Sequence, residues 1–319
     1  MNFNKLKKLS GDASFRYFYR KKNFKQSSVF VYCKKQKKIN LVIYDAINKL
    51  LIKNNLSAPK LIKSNYNQNY IEIEDFGDIT VFQLLRKKKV NQLFYYKKIL
   101  LLLKKIQKIK TKKIKTFLDR EYEIPNYSKE MLINESNLFL QWYLPKFIKG
   151  RRKNIEKKKM SKIFKNLLDS LIYKKKVFTH RDFHVSNIMI TKKGFGLIDN
   201  QDAVYGNIAY DLASLIDDVR LKTNRKLKDK IFNEFIKKNN QLDRDKFKND
   251  FEILSVLRNF KIIGIFSRLS KRDKKHQYLK LIPYAWKLIE NRINNNIKFS
   301  DLKTCIDKNF PKKIRNYEN

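Results

Sequence analysis

Near residue 75 the spacing of apolar residues changes period, and that change limits what the chain can fold into. Before it, short aromatic and β-branched runs at residues 15–19, 29–33 and 70–73 predict strands. Between them Leu41, Tyr44, Ile47, Leu50 and Leu51 recur at helical spacing over residues 40–53, an amphipathic helix able to pack on a small sheet. Pro59 is expected to end that unit, and a polar joint at residues 74–78 to follow it. Beyond the joint the pattern predicts long helices at residues 90–109, 160–173, 210–219, 227–239 and 251–269. One short β-like ribbon interrupts them, with apolar segments at 177–179, 188–190 and 196–198 joined by tight polar turns. The expectation is an α+β chain of two lobes, a small β-rich N-lobe over residues 1–75 and a larger, mainly helical C-lobe over residues 76–319.

Composition narrows the class of protein. Hydrophobic residues make up 42% of the 319 and aromatics 13%, too rich for a disordered chain, although 33% are charged and the net charge is +44. That charge would suit a nucleic-acid binder, but the lysines are spread over almost every segment instead of gathering on one element. Solvated lysine faces, including the runs at 104–115 and 151–159, explain it better than a nucleic-acid surface. Cys33 and Cys305 lie far apart without metal-ligand or redox spacing, as in a reduced cytoplasmic protein, and no apolar run is long enough to span a membrane.

The chemistry concentrates in His180-Arg181-Asp182-Phe183-His184-Val185-Ser186-Asn187, followed one turn later by Asp199. In phosphoryl transfer the moving group carries most of the charge. A site therefore needs metal ions to bridge the phosphates and a carboxylate to take the proton of the attacking hydroxyl. A loop presenting Asp182 and then Asn187, with Asp199 at the end of the next strand, has the kinase catalytic-loop spacing H-R-D-x-x-x-x-N plus a metal-binding Asp. Asp182 is read as the catalytic base, and Asn187 and Asp199 as magnesium ligands beside ATP. His180 and Arg181 are read as braces of the loop. His184 divides between loop support and substrate contact, Asp202 between a sugar hydroxyl and a surface carboxylate. Asp211, in the first turn of a helix, suits capping or loop support.

Residues 180–190, read with 196–203 and 210–215, resemble the aminoglycoside-phosphotransferase family, the small-molecule branch of the protein-kinase-like fold. Within it, Gly11-Asp12-Ala13-Ser14-Phe15-Arg16, Ile73-Glu74-Asp75-Phe76-Gly77-Asp78 and the stretch from Arg258-Asn259 to Arg268-Leu269 are similar to the bacterial anomeric kinases of cell-wall amino sugars. The resemblance implies ATP-dependent phosphorylation of the anomeric hydroxyl of N-acetylmuramate or N-acetylglucosamine. It also implies a phosphate-covering turn with Gly11, Ser14 and Arg16 in contact with the nucleotide, and backbone groups at Glu74 and Asp75 offered to adenine.

Two departures from the kinase pattern stand out. The predicted strand at 29–33 carries no lysine to pair the phosphates, so the residue replacing it is left open. Asp199 is followed by Asn200-Gln201 instead of Phe-Gly, which favours a permanently formed small-molecule site over a switching loop. Kinases of an aminoglycoside, choline or homoserine share the same site chemistry, and a catalytically weak pseudokinase-like or nucleic-acid-binding module is a further alternative. The basic charge disfavours a polycationic acceptor.

Overall fold

The structure is a computed structural model that describes residues 6–9, 16–22, 27–87, 90–294 and 296–316. The chain divides into two compact units, Met1–Pro125 with Val177–Tyr205, and Asn126–Lys176 with Gly206–Asn319.

The first unit is built on a five-stranded antiparallel sheet in the order β1-β2-β3-β5-β4, formed by β1 (Lys7–Leu9), β2 (Arg16–Lys21), β3 (Ser28–Cys33), β4 (Leu61–Asn65) and β5 (Tyr70–Glu74). Helix α1 (Ile39–Lys53) packs on it through the spacing seen in the sequence. Leu41 and Tyr44 meet Val29, Val31, Cys33, Ile71 and Ile73 in one buried cluster, each fully buried apolar side chain contributing roughly 1.5–3 kcal/mol. The edge strands β1 and β4 were not expected. Their residues are mostly exposed and show no apolar alternation, so only pairing with β2 and β5 makes them strands. Pro59 accordingly precedes a strand instead of ending the unit.

The unit continues through α2 (Val81–Leu85), α3 (Gln92–Gln107), β6 (Lys113–Lys115) and β7 (Glu121–Glu123). Thr80 starts α2 with a capping box, its hydroxyl accepting from the Gln83 amide while Gln83 reaches back to the Thr80 amide. The second stretch holds β8 (Lys176–Thr179), β9 (Ile188–Thr191), β10 (Gly194–Leu197) and β11 (Val204–Asn207). Strands β9 and β10 form a tight antiparallel hairpin.

That hairpin is why the units do not divide at residue 75. The Ile190 amide donates to the Ile79 carbonyl and the Leu197 amide to the Ser57 carbonyl, both at 2.8 Å. A Cβ at Gly196 would stand 2.5 Å from Phe76 Cε2, so any larger residue would require the Phe76 ring to shift. Hydrogen bonds and one close contact thus bind the ribbon to the sheet-bearing unit, which runs to residue 125 before the chain leaves it.

The second unit is helical, comprising α4 (Lys129–Leu138), α5 (Gly150–Asp169), α6 (Tyr210–Ile216), α7 (Arg225–Lys238), α8 (Arg244–Asp273), α9 (Ile282–Ile293), α10 (Ser300–Asn309) and α11 (Lys312–Arg315). Helix α5 begins ten residues before the predicted helix at 160, because the basic run forms its exposed side while Met160, Ile163, Phe164 and Leu167 turn inward. At Gly264 of α8 a Cβ would lie 2.3 Å from the Leu138 carbonyl carbon, so α8 meets the end of α4 backbone against backbone. Around that crossing Phe139 meets Phe260, Trp286 and Phe310 edge to face and stacks on Tyr143, and the Trp286 indole donates to the Tyr143 hydroxyl at 3.0 Å. Trp142, in the segment after α4, is half-buried.

Candidate active site

The loop between β8 and β9 is shaped by hydrogen bonds among its own residues. The His184 amide donates to the Asp182 carbonyl at 2.9 Å and the Asn187 amide to the His184 carbonyl at 2.9 Å. The Asn187 side-chain amide donates to the Asp182 carbonyl at 3.0 Å. Spending Nδ2 in this way leaves Asn187 its Oδ1, the atom a hard cation takes. Arg181 sits at a φ of 72°, an unfavourable left-handed conformation for a bulky residue.

Two side chains fasten this loop to the segment after β10. His180, 2% exposed, donates from Nε2 to the Ile198 carbonyl at 3.1 Å, which fixes its tautomer. Arg181 Nη1 donates to the Asp202 carbonyl at 3.1 Å. The Ile198 amide returns a bond of 3.1 Å to the Asn187 carbonyl. Asp199 follows at once, itself left-handed with a φ of 64°. Asp182, Asn187 and Asp199 are thereby brought into one neighbourhood of the first unit, near enough that the charge of Asp182 acts on Asp199.

The electrostatics of Asp199 are mixed. Partial burial raises its carboxyl above the ordinary range, Arg16 pulls it back, and the negative charges of Asp182 and Asp202 push it up again. Its Oδ1 accepts from Arg16 Nη2 at 2.5 Å and from Gln201 Nε2 at 3.3 Å. Gln201 Nε2 also donates to Asp202 Oδ2 at 2.6 Å. The Asp202 side chain remains 54% exposed.

Arg16 stands opposite Cys33 in the β2–β3 register, its side chain 3% exposed and its guanidinium 5.5 Å from the centre of the Tyr44 ring on α1. Burial pushes the Tyr44 hydroxyl up to about 12, with Arg16 opposing and Asp199 reinforcing the rise. Strand β3 carries no lysine, so the cation beside Asp199 comes from β2.

Other expected site residues are placed differently. The Asp75 carboxylate, 3% exposed, accepts from Arg20 Nη2 and from the Gly77 amide, both at 2.9 Å, and pairs as an ion with Arg20 Nε at 2.6 Å. Burial works to raise it, but bonds from Arg20, Ser27 and Gly77 win and hold it below the usual carboxylate range. The Glu74 amide donates to the Lys60 carbonyl at 2.8 Å within the β4–β5 edge, which commits that donor to the sheet. His184 is buried, 3.4 Å from the Asn187 amide nitrogen. Asp211 lies in the first turn of α6 in the second unit, 1% exposed. Gly11 and Ser14 lie outside the described residues.

Two residues that the sequence reading did not single out belong to this region. Arg20 clasps Asp75, Asp78 and the Gly77 carbonyl. Asn48 of α1 accepts at 2.8 Å from the side chain of Asn200, next to Asp199, and donates to the Pro59 carbonyl at 3.1 Å. A polar residue beside the apolar stripe of α1 was the available signal for Asn48; Arg20 carried none.

The donor set suits a magnesium ion. Among the described residues no three His, Cys, Asp or Glu side chains gather as a metal cage. Asp199 and Asn187 offer two oxygen-bearing side chains, and magnesium characteristically takes one or two such groups and completes its octahedron with water and substrate phosphates.

Residues 91–237 match the model of the phosphotransferase enzyme family. The chain carries a phosphotransferase-family domain. The match spans the Asp182 loop, Asp199 and Asp211 alike. This small-molecule phosphotransferase is 28% identical over 281 residues to the N-acetylmuramate/N-acetylglucosamine kinase of Neisseria meningitidis, covering 86% of this chain and 81% of that one. It is 25% identical over 299 residues to the protein of the same name from Pseudomonas putida, covering 92% and 85%. Its fold is that of the ethanolamine kinase of Plasmodium vivax, with a TM-score of 0.60 at 13% identity over 93% of this chain and 84% of the other. Among the described residues no helix is long and apolar enough to cross a membrane.

Proposed function

We propose that this phosphotransferase uses ATP and magnesium to phosphorylate the anomeric hydroxyl of a cell-wall amino sugar, N-acetylmuramate or N-acetylglucosamine. The observation that carries the reading is the convergence of Asp182, Asn187 and Asp199 in one hydrogen-bonded frame. Relatives named N-acetylmuramate/N-acetylglucosamine kinase, aligned over most of the chain, support this class of acceptor.

In this reading Asp182 accepts the proton of the sugar hydroxyl as its oxygen forms a bond to the γ-phosphorus. The bond from that phosphorus to the bridging oxygen of ADP breaks at the same time. Asn187 and Asp199 would hold the divalent ion, which when bound offsets the charge of the phosphate oxygens. His180 and Arg181 keep the Asp182 loop against the Asp199 segment, so that base and metal ligands stay in register. Gly11, Ser14 and Arg16 would contact the nucleotide, and Glu74 and Asp75 would mark the adenine side. His184 supports Asn187 from beneath, Asp202 is the carboxylate open to a sugar hydroxyl, and Asp211 starts α6. The reaction belongs in the cytoplasm, where ATP is supplied.

The test is a mass-spectrometric search for product after incubating the protein with ATP, magnesium and separate acceptors: the two amino sugars, choline, homoserine and an aminoglycoside. A sugar 1-phosphate supports the reading. Phosphorylation of choline or an aminoglycoside alone would replace the acceptor, and absence of ATP consumption with every acceptor would remove the kinase reading.

A further inference from the structure

We infer that Arg20 is the positioning residue for the adenine end of the nucleotide: it ties the loop of residues 75–78 to strand β2 and so sets the backbone of Phe76 against the purine edge. The inference rests on the ATP-dependent reading of this site and deepens it at one residue.

Residues 75–78 leave β5 as irregular backbone, with Gly77 in the left-handed region at a φ of 81°. A turn built on glycine has many conformations open to it, so side chains must select one. Asp75 makes the first selection, its Oδ1 accepting from the Gly77 amide at 2.9 Å. Arg20 makes the rest. Its Nη2 donates to the same Oδ1 at 2.9 Å and to the Gly77 carbonyl at 3.0 Å, and its Nη1 donates to Asp78 Oδ1 at 2.7 Å. Its Nε lies 2.6 Å from Asp75 Oδ2. One planar group thereby reaches the start, the tip and the end of the loop, which the compact ammonium of a lysine would not. Strand β2 does not need these contacts for itself, because the ladder to β3 already holds its backbone. The Arg20 side chain, 6% exposed, spends them on the loop.

Adenine presents a donor and an acceptor side by side on its edge, and a backbone amide with a nearby carbonyl complements them. Several such groups of this loop are already committed. The Glu74 amide serves the Lys60 carbonyl, the Gly77 amide serves Asp75, and the Gly77 carbonyl accepts from Arg20. Among the described residues the Phe76 amide and carbonyl carry no bond of this kind. The Phe76 ring is fixed separately, lying so close over Gly196 of β10 that an added Cβ would stand 2.5 Å from it. Phe76 is therefore held through its ring and through its neighbours while its own backbone pair stays open, which is the preorganisation that base binding rewards. The contact falls one residue beyond Glu74 and Asp75, where the sequence placed it.

The experiment measures, by calorimetry on the full chain with magnesium, binding of a non-hydrolysable ATP analogue and of inorganic tripolyphosphate, which has the phosphates and no base. Wild type, Arg20→Gln and Asp78→Ala are compared. Arg20→Gln is expected to bind the analogue about tenfold more weakly, the scale of the hydrogen bonds lost at the base. It is expected to bind tripolyphosphate as wild type does. Equal weakening toward both ligands would show a merely structural arginine and overturns the inference, as does weakening toward neither. Should Arg20→Gln not fold, Asp78→Ala decides, because that side chain is 74% exposed and the core does not depend on it. It removes one of the loop's anchors and is expected to weaken the analogue about threefold, with tripolyphosphate unchanged. Analogue affinity equal to wild type in Asp78→Ala overturns the inference. A wild-type chain that binds neither ligand would sink the ATP-dependent reading itself, and this inference with it.

Discussion

Asn48 of α1 and Asn200 of the loop after β10, 152 residues apart in the chain, are joined by an amide–amide hydrogen bond of 2.8 Å. Asn200 is fully buried and its Nδ2 also donates to the Leu197 carbonyl at 3.0 Å, while Asn48 donates onward to Pro59. The helix that packs on the sheet is thus bonded to the residue next to Asp199.

Replacing Asn200 by Ala should therefore cost stability and misplace Asp199 together. Loss of a buried amide that leaves Asn48 without its partner is worth roughly 1–3 kcal/mol. Urea unfolding is expected to show that loss. Turnover should fall more than acceptor KM rises, because in the proposed mechanism Asp199 would serve the transferring phosphoryl group and not the resting sugar. The double variant Asn48→Ala, Asn200→Ala should be less destabilised than the sum of the singles; strict additivity would mean that the pair is not a unit.

Asp182→Asn should remove nearly all activity, on the order of 10²–10⁴-fold for a positioned base. The side chain is half-buried and the loop bonds run through its backbone carbonyl, which the substitution leaves in place. An unchanged melting midpoint with lost turnover is the expected pair of results. Turnover within a few fold of wild type would take Asp182 out of the mechanism.

Gly264→Ala places a methyl group 2.3 Å from the Leu138 backbone, where neither helix can yield by rotating a side chain. The α4–α8 crossing would have to open, at about 1–3 kcal/mol or more. Because the strain falls in the second unit, denaturant unfolding should report it directly. An equivalent alanine at the solvent-exposed Lys271 of the same helix is the control and should change little.

How much of this could be read in the sequence differs by kind of residue. The Asp182 loop was legible because its chemistry is carried by spacing within a dozen residues, and α1 because its apolar stripe repeats. Strand β4 was not, since Leu61–Asn65 has no alternation of its own and is a strand only beside β5. The return of the ribbon to the sheet-bearing unit was not legible for a similar reason: the bonds from Ile190 to Ile79 and from Leu197 to Ser57 join segments more than a hundred residues apart. Arg16 was noticed for its charge, but its pairing with Asp199 depends on the fold bringing β2 to a residue 183 positions away. Local pattern cannot carry such pairings, and in this site they decide what each charged group does.

Asp217 makes the clearest pH prediction. It is 1% exposed in the second unit and bound by Lys228 Nζ at 3.0 Å, Arg292 Nε at 3.0 Å and the Ser255 hydroxyl at 2.6 Å. Burial alone would raise its carboxyl, but the two cations and their hydrogen bonds prevail and hold it far below the usual carboxylate range. A carboxyl more acidic in the folded than in the unfolded chain binds fewer protons when folded. Its stabilising effect is complete above the unfolded value near 4 and drains away as the pH falls below it. Urea unfolding from pH 7 down to pH 3 should show stability roughly level at first and then falling through the acid range. Asp217→Asn should flatten that fall while lowering stability at pH 7 by about 3–5 kcal/mol, because Lys228 and Arg292 would be left buried without their anion. An acid profile identical in the variant and wild type would show that the fall arises from carboxylates elsewhere.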